Sequence, residues 1–408
     1  MKQNLLLILI ITAFGYACSK KDDAKLNTAP SAFTITGKQT NSDLLLTWTK
    51  AKDPEGDLVS YNVIYKDTLA KNITDTSYVI KNVPYASTIT GSIIAKDAKG
   101  ASTTVPFSIT TTQDPYVLIP DINFENALIE LKIDDVQDGK LLRSKAEAVT
   151  KLTFWGRDSD TGVKNELLYD IKSLQGIESF INLKILVCNY SELSSLDISK
   201  NVNLTELYCG YNQLANLDIS KNVNLISLAC SDNKLTNLDV SKNVNLKELY
   251  CSNNQLTNLD ISKNVNLTKL FCSNNQLMTL DVSKNVNLKE LGCSENKLTT
   301  LDVSKNVNLK ELGCSENKLT TLDVSKNVNL TILDCQNNQL SNLDVSKNVN
   351  LTILYCYNNQ IINLDVSKIT LYYLICYNNQ IQTICVNSLS QPRGTWEKDA
   401  TASYKVCN

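Results

Sequence analysis

The sequence contains no histidine, only two methionines and only seven prolines in 408 residues. The missing histidine excludes Ser-His-Asp and Cys-His nucleophiles, a histidine general base and histidine-ligated metal sites. An excess of one charge is also lacking, because 40 basic residues stand against 42 acidic ones and the formal net charge is -2. Proteins that bind nucleic acid neutralise phosphates with a basic surface, so this balance argues against a nucleic-acid partner.

The first residues have the pattern of an export signal. Lys2 supplies a positive start, an apolar run extends from Leu5 to Ile11, and small residues precede Cys18. The run is shorter than the roughly 20 residues of a membrane-spanning helix. Residues 15–18 resemble a bacterial lipobox, which implies a signal peptide over 1–17 and a lipid on Cys18. An ordinary signal peptide with a chance cysteine is the alternative.

Residues 18–29 are predicted to form a polar tether. Residues 19–23 read Ser-Lys-Lys-Asp-Asp and resemble the signal that sends lipoproteins of some Gram-negative bacteria to the outer face of the outer membrane. The resemblance implies a lipid-anchored protein of the outer membrane, exposed at the cell surface, with the membrane as a partner through the amino-terminal lipid.

Residues 30–115 predict an all-β domain, because short runs of β-branched and aromatic residues alternate with turn signals. The predicted strands are Leu44–Trp48, Val59–Tyr65 and Thr88–Ala95. Trp48, the strand with Tyr61 and Tyr65, and the turn before Gly100 resemble a fibronectin type III domain. Ile89 replaces the family's corner tyrosine, so that corner hydrogen bond is expected to be absent. The resemblance implies a spacer, with ligand binding as the lesser alternative.

Residues 116–182 are predicted to cap the repeats that follow, since a solenoid must cover the open ends of its core. An amphipathic helix is expected over 120–131, with Asp121 or Asn123 near its start.

From Leu183 the sequence repeats every 21 residues with the pattern LxxLxCxxNxLxxLDxSKNxN. The pattern resembles a leucine-rich repeat, which implies one short strand per coil and a parallel sheet on the concave face. Residues 183–384 are expected to form ten coils, with positions four and six pointing inward, and residues 385–408 a carboxy-terminal cap. The predicted fold class is mainly β: a fibronectin type III-like β-sandwich followed by a leucine-rich-repeat solenoid.

The 13 cysteines divide by position. Ten occupy position six of successive coils: Cys188, Cys209, Cys230, Cys251, Cys272, Cys293, Cys314, Cys335, Cys356 and Cys376. We expect these thiols to be reduced and packed in the core, because tetrahedral metal sites and disulfides fit a straight column poorly. Cys385 and Cys407 lie in the non-repeating tail, where a disulfide is expected in an exported protein. No metal or cofactor is predicted.

Two polar columns are predicted to be structural. The asparagine at position nine, from Asn212 to Asn379, is expected to bind backbone groups at the bend after each strand. The Asp-x-Ser-Lys segment, from Asp197 to Lys368, is expected on the convex side. There the aspartate caps a tight turn and the lysine balances its charge.

Function is expected where the repeat varies, at the positions that face the concave side. These positions carry aromatic residues in the first half, glutamates beside Gly292 and Gly313 in the middle, and tyrosines at the end. Tyrosine offers apolar area and a hydroxyl at low entropy cost, which suits recognition. The candidate ligand-binding residues are Tyr208, Tyr250, Phe271, Glu290, Glu311, Tyr355, Tyr357, Tyr373 and Tyr377. Solvated strand residues of high β propensity are the alternative.

The leading functional hypothesis is a surface-anchored interaction or adhesion protein that binds a protein, peptide or glycan. The resemblance to surface proteins of the internalin kind implies protein binding. A structural envelope or matrix protein without a specific ligand is the alternative, favoured by the units from Leu288 and Leu309, which are identical over 21 residues. An enzyme is not expected, because Glu290 and Glu311 lie in these identical units and nothing distinguishes an acid from a base.

Overall fold

The computed structural model describes residues 26–154, 171–392 and 394–407. The chain divides into two compact units, Met1–Asp114 and Pro115–Asn408. The predicted signal peptide, Cys18 and the first part of the tether lie outside the described residues.

The first unit contains two antiparallel sheets that share one hydrophobic core. Its strands are β1 (Ile35–Thr40), β2 (Asp43–Trp48), β3 (Ser60–Tyr65), β4 (Asp67–Ile73), β5 (Ser77–Ile80), β6 (Thr88–Lys96) and β7 (Ser102–Thr110). The sheet orders are β1-β2-β5 and β4-β3-β6-β7. Alternate residues point into the core, where the Trp48 and Tyr61 rings meet edge to face at 5.4 Å. The buried Tyr61 hydroxyl accepts a 2.8 Å hydrogen bond from the Ala51 amide, so this polar group is satisfied inside the sandwich.

The second unit begins with a segment of mixed structure. It comprises β8 (Tyr116–Leu118), α1 (Ile122–Glu130), β9 (Lys140–Leu142), α2 (Arg143–Ala148), β10 (Lys151–Thr153) and a 3-10 turn at Ile177–Ser179. Asp121 caps α1, because one of its oxygens accepts hydrogen bonds from the Asn123 and Phe124 amides. Its other oxygen accepts from the amides of Lys172 and Ser173, which ties the helix start to the chain that enters the repeats.

The repeats form one parallel sheet. Its strands after β10 are β11 (Ile185–Val187), β12 (Glu206–Tyr208), β13 (Ser227–Ala229), β14 (Glu248–Tyr250), β15 (Lys269–Phe271), β16 (Glu290–Gly292), β17 (Glu311–Gly313), β18 (Ile332–Asp334), β19 (Ile353–Tyr355), β21 (Tyr373–Ile375) and β23 (Trp396–Glu397). The ten predicted repeat strands are present, but the sheet has 12 strands, because β10 and β23 extend it with non-repeating sequence. The expectation of ten strands missed these two because neither carries the repeat pattern.

The carboxy-terminal end is closed by a second, smaller parallel sheet. It contains β20 (Asn363–Asp365), β22 (Thr383–Val386) and β24 (Ser403–Val406) in the order β20-β22-β24. In the structure Cys385 and Cys407 form a disulfide with a Cα–Cα distance of 5.3 Å. Ile384 and Trp396 are buried beside the last coils and join the core of the repeats.

The inside of each coil is lined by leucine and cysteine. The ten cysteines of position six are free thiols and all are buried, as predicted. Burial raises the pKa of Cys230 and of Cys272 to about 12, because the apolar core disfavours the thiolate. These thiols therefore pack as apolar groups and remain protonated at neutral pH.

The asparagines at position nine confirm the predicted structural role. Asn275 accepts a 2.9 Å hydrogen bond from the Leu256 amide. Its side-chain amide donates to the carbonyls of Cys251, Cys272 and Ser273. One side chain thus satisfies backbone groups of two successive coils at the bend after the strand.

A second asparagine column, which the sequence did not single out, is more deeply buried. Asn285 is 0% exposed, and its side-chain amide donates to the carbonyls of Ile261 at 3.1 Å and Asn264 at 2.9 Å. The same position is filled by asparagine from Asn201 to Asn348, always fully buried. This column joins each coil to the one before it, on the side opposite the strands.

The convex aspartates cap turns as predicted. Asp281 accepts a 2.8 Å hydrogen bond from the Ser283 amide, and hydrogen bonds from Ser283 lower the pKa of the Asp281 carboxyl. The lysines balance the charge of this column without a direct contact: within the described ranges, no lysine of the Asp-x-Ser-Lys column is in an ion pair. The backbone hydrogen bond, rather than an ion pair, therefore holds this turn.

Candidate binding surface

The concave face presents two outward side chains from each three-residue strand. Successive side chains of a strand point to opposite sides, so Glu290 and Gly292 face outward while Leu291 between them is buried. Neighbouring strands pair in register at intervals of 21 residues, as Glu290 does with Glu311. Residues from the same repeat position therefore line up across the sheet, and a change from one coil to the next alters this surface without altering the core.

The amino-terminal part of this surface is aromatic. The rings of Tyr250 and Phe271 stack at a centroid distance of 5.4 Å and an interplanar angle of 6°. Tyr208 lies two strands before Tyr250, with Ala229 between them. The Tyr208 hydroxyl donates to the Glu206 carboxylate at 3.2 Å. Burial raises the pKa of Tyr208 and of Tyr250, so both phenols stay protonated as hydrogen-bond donors.

The middle of the surface contains a recess of about 260 Å³. Its polar lining comes from Ser273, Glu290, Ser294, Glu311 and Asp334, and its apolar lining includes Phe271 and Ile332. The predicted residues Phe271, Glu290 and Glu311 are thus brought together. Lys269 pairs with Glu290 at 3.3 Å.

Asp334 belongs to this recess and was not among the predicted site residues. It occupies position five, beside Gly313 on the neighbouring strand, and burial raises the pKa of its carboxyl. The available signal was a single acidic residue in a column otherwise filled by aromatic, aliphatic and glycine residues.

The carboxy-terminal part of the surface is rich in tyrosine. The rings of Tyr357 and Tyr377, which follow β19 and β21, stack at a centroid distance of 4.8 Å. Tyr355 and Tyr373 lie on these two adjacent strands, where Ile353 pairs with Tyr373. The structure therefore places the four predicted tyrosines on two successive coils, and Tyr373 is 45% exposed.

A third aromatic pair was missed by the sequence reasoning. Tyr190 and Tyr211 stack with a centroid distance of 4.2 Å and an angle of 11°, and they are 39% and 49% exposed. Both occupy position eight, in the turn after the strand, in the first two coils. Their separation of 21 residues was the signal that could have revealed the pair.

Comparison with known proteins supports the repeat assignment. The family model of leucine-rich repeats in two copies matches residues 244–285. The functional domain of InlJ from Listeria monocytogenes, which includes a cysteine ladder, is 33% identical with a TM-score of 0.63. The second unit is a leucine-rich repeat domain. The alignment covers 72% of this chain and 63% of the InlJ domain, so the chain spans less than two thirds of that relative.

The leucine-rich repeat fold has a second similar structure in the internalin InlF from Listeria monocytogenes. Its TM-score is 0.51 at 19% identity, and the alignment covers 70% of this chain and 95% of InlF. Among curated proteins, none matches the chain. Leucine-rich repeat proteins with internalin-like folds typically mediate protein–protein interactions.

In residues 26–154, 171–392 and 394–407, no helix combines the length and hydrophobicity needed to cross a bilayer. Over the same ranges, no three acidic or cysteine side chains are grouped so that they could hold a metal ion. The concave face of the repeats, with its aligned outward residues and its central recess, is the candidate site.

Proposed function

We propose that this chain is a lipid-anchored interaction protein of the bacterial cell surface that binds a protein, peptide or glycan through the concave face of its leucine-rich repeats. The observation that carries the proposal is the pattern of variation on that face. Leucine, cysteine and asparagine recur with few changes inside the coils, whereas outward positions change between aromatic, acidic, small and tyrosine residues. A scaffold that only had to stack would not need this variation.

The stacked tyrosines are the strongest contact candidates on this face. The rings of Tyr357 and Tyr377 already stack at a centroid distance of 4.8 Å. A partner that covers them therefore costs these side chains little further conformational entropy. A tyrosine pair also presents apolar area together with two hydroxyls, the combination that is enriched where binding energy concentrates. This arrangement suits a protein surface and equally the apolar face of a sugar.

Replacing Tyr355, Tyr357, Tyr373 and Tyr377 with serine is expected to weaken attachment to host or neighbouring cells at least about tenfold, because such aromatic contacts dominate binding energy. Attachment of cells that display the full chain is the measurement.

A matched control removes exposed apolar area elsewhere in the repeats, on coils that do not carry the four tyrosines. Four valines between the paired asparagines are each about 45% exposed and lie outside the strands: Val244, Val265, Val286 and Val307. Changing all four to serine is expected to leave attachment intact. Equal attachment by the tyrosine variant, with unchanged circular dichroism, would exclude this face and favour the structural envelope hypothesis.

The anchor is tested separately at Cys18. The Cys18→Ser variant is expected to incorporate no labelled fatty acid and to leave the membrane fraction, because stable anchoring depends on the acyl chains. Protease treatment of intact cells is expected to digest the repeats of the wild-type chain, because the proposal places them at the cell surface. Unchanged membrane association of the variant would refute the lipid anchor while leaving the binding face untouched.

A further inference from the structure

The recess in the middle of the concave face is open above Gly313 and closed above Gly292. A Cβ atom at Gly292 would lie 2.7 Å from the Phe271 ring, so that ring leans across Gly292. A Cβ atom at Gly313 would meet nothing nearer than the Ser294 Oγ at 3.5 Å. The free space therefore lies above Gly313, with the Phe271 ring on one side and Asp334 on the other.

The charge of the recess is negative. Glu311 lies on the same strand and face as Gly313, and Asp334 pairs in register with Gly313 on the next strand. Adjacent strands are about 4.8 Å apart and same-face neighbours about 7 Å, so one group above Gly313 can reach both carboxylates. Glu290 is already paired with Lys269. In the described ranges no ion pair involves Glu311 or Asp334.

The hydrogen-bond partners of the Asp334 carboxylate are neutral groups. Its carboxylate accepts hydrogen bonds from the amide and side chain of Gln336 at 3.3 and 3.4 Å, both neutral donors. Burial raises the pKa of this carboxyl, as expected for a charge that is partly removed from water. A positive group in the recess would offset this cost.

The excess of negative charge extends along the concave strands. The outward positions of the ten repeat strands carry five carboxylates and one ammonium group: Glu206, Glu248, Glu290, Glu311, Asp334 and Lys269. Lys289 and Lys310 are exposed residues immediately before β16 and β17, outside the strands that line the recess. Such a field attracts and orients a basic partner.

We propose that the recess above Gly313 receives one lysine or arginine side chain of a protein partner, with its charged end at Asp334 and Glu311 and its methylene stem against the Phe271 ring. This rests on the proposed function, since it names the chemistry of the partner for the same face. The stem of a basic side chain packs well against apolar surface, and an aromatic face favours a nearby cation.

The test uses random 12-residue peptides on phage, selected on the purified full chain. The selected sequences are expected to require lysine or arginine, and synthetic copies should lose binding when that residue becomes norleucine or citrulline. Asp334→Asn and Glu311→Gln should each weaken the synthetic peptides roughly tenfold. Gly313→Leu should abolish binding by filling the recess, where a Cβ atom has room.

Asp323→Asn is the matched control, because it removes the same charge from the convex side of the coil that carries Glu311 and keeps the oxygen that accepts from the Ser325 amide. It should change affinity by less than about twofold, as expected for an exposed charge at a distance. If Gly313→Leu fails to fold, the two isosteric variants still decide the result.

Three outcomes overturn the inference. Peptides that bind without a basic residue and still bind Gly313→Leu, but lose affinity in the tyrosine variant, refute the recess and leave the proposed function standing. Glycan-array binding that Gly313→Leu abolishes, without basic peptides being selected, assigns the recess to a sugar instead. Failure to select any peptide that depends on the concave face, together with cell attachment that the tyrosine substitutions leave unchanged, contradicts both proposals.

Discussion

The Asn285→Ala variant is expected to lose about 2–4 kcal/mol of unfolding free energy. Its side-chain amide makes two buried hydrogen bonds to the preceding coil, and each is worth about 1 kcal/mol net. Truncation also leaves a small cavity at a position that is 0% exposed, which adds to the loss. Because a solenoid is held by contacts between neighbouring coils, the damage should start at the coils beside residue 285.

Asn287, two residues after Asn285, provides the control. Asn287 is exposed and makes one hydrogen bond, to the Val265 carbonyl at 3.1 Å, so Asn287→Ala is expected to cost less than about 1 kcal/mol. Urea unfolding of the full chain, with hydrogen exchange to locate the opened coils, is the measurement. If the two variants differ by less than about 0.5 kcal/mol, the buried asparagine column does not hold the coils together.

Opening the Cys385–Cys407 bridge is expected to lower stability by about 3 kcal/mol, the usual size for a loop of this length. The two cysteines are 22 residues apart in sequence, and the bridge joins β22 to the end of β24. That small sheet covers the last coils with Ile384 and Val386, both 0% exposed. Without the bridge, we expect the carboxy-terminal coils to open first, because an uncapped solenoid exposes its core.

The measurement compares unfolding of the wild-type chain with and without a mild reductant. The ten core cysteines are already free and buried, so reduction of the native chain should act on this bridge alone. The Cys385→Ala/Cys407→Ala variant is expected to unfold like the reduced wild type and to show no further change with reductant. A wild-type midpoint that is the same with and without reductant would show that the bridge does not stabilise the cap.

The sequence predicted the repeats well because each coil meets the same physical demand. Leu291 in β16 and Cys293 directly after it are buried and alternate with outward residues, and a period of 21 brings each to the same place in the next coil. Asn275 was recognised for the same reason. The motif also contains two asparagines near its end, and the repeat pattern does not indicate which of the two side chains is buried. The fold buries Asn285 and exposes Asn287.

The candidate site was predicted only as sets of residues that share a repeat position, without the contacts between their side chains. Tyr357 and Tyr377 were named separately, and their stacking follows from the register of β19 and β21. Tyr190 and Tyr211 were missed because they lie in turns, where side-chain direction depends on the bend after the strand. Asp334 was missed as a site residue because its burial depends on the glycines of the preceding coils.

By itself, the sequence determined the repeat length, the inward columns, the ten reduced thiols and the face on which variation is allowed. These follow from local periodicity, which is the same in every coil. The tertiary structure alone decided that the sheet has 12 strands, that one asparagine of each pair is buried, and that Phe271 closes the space over Gly292 but leaves Gly313 open. Those features depend on contacts between coils and with the caps, and such contacts are set by packing in three dimensions.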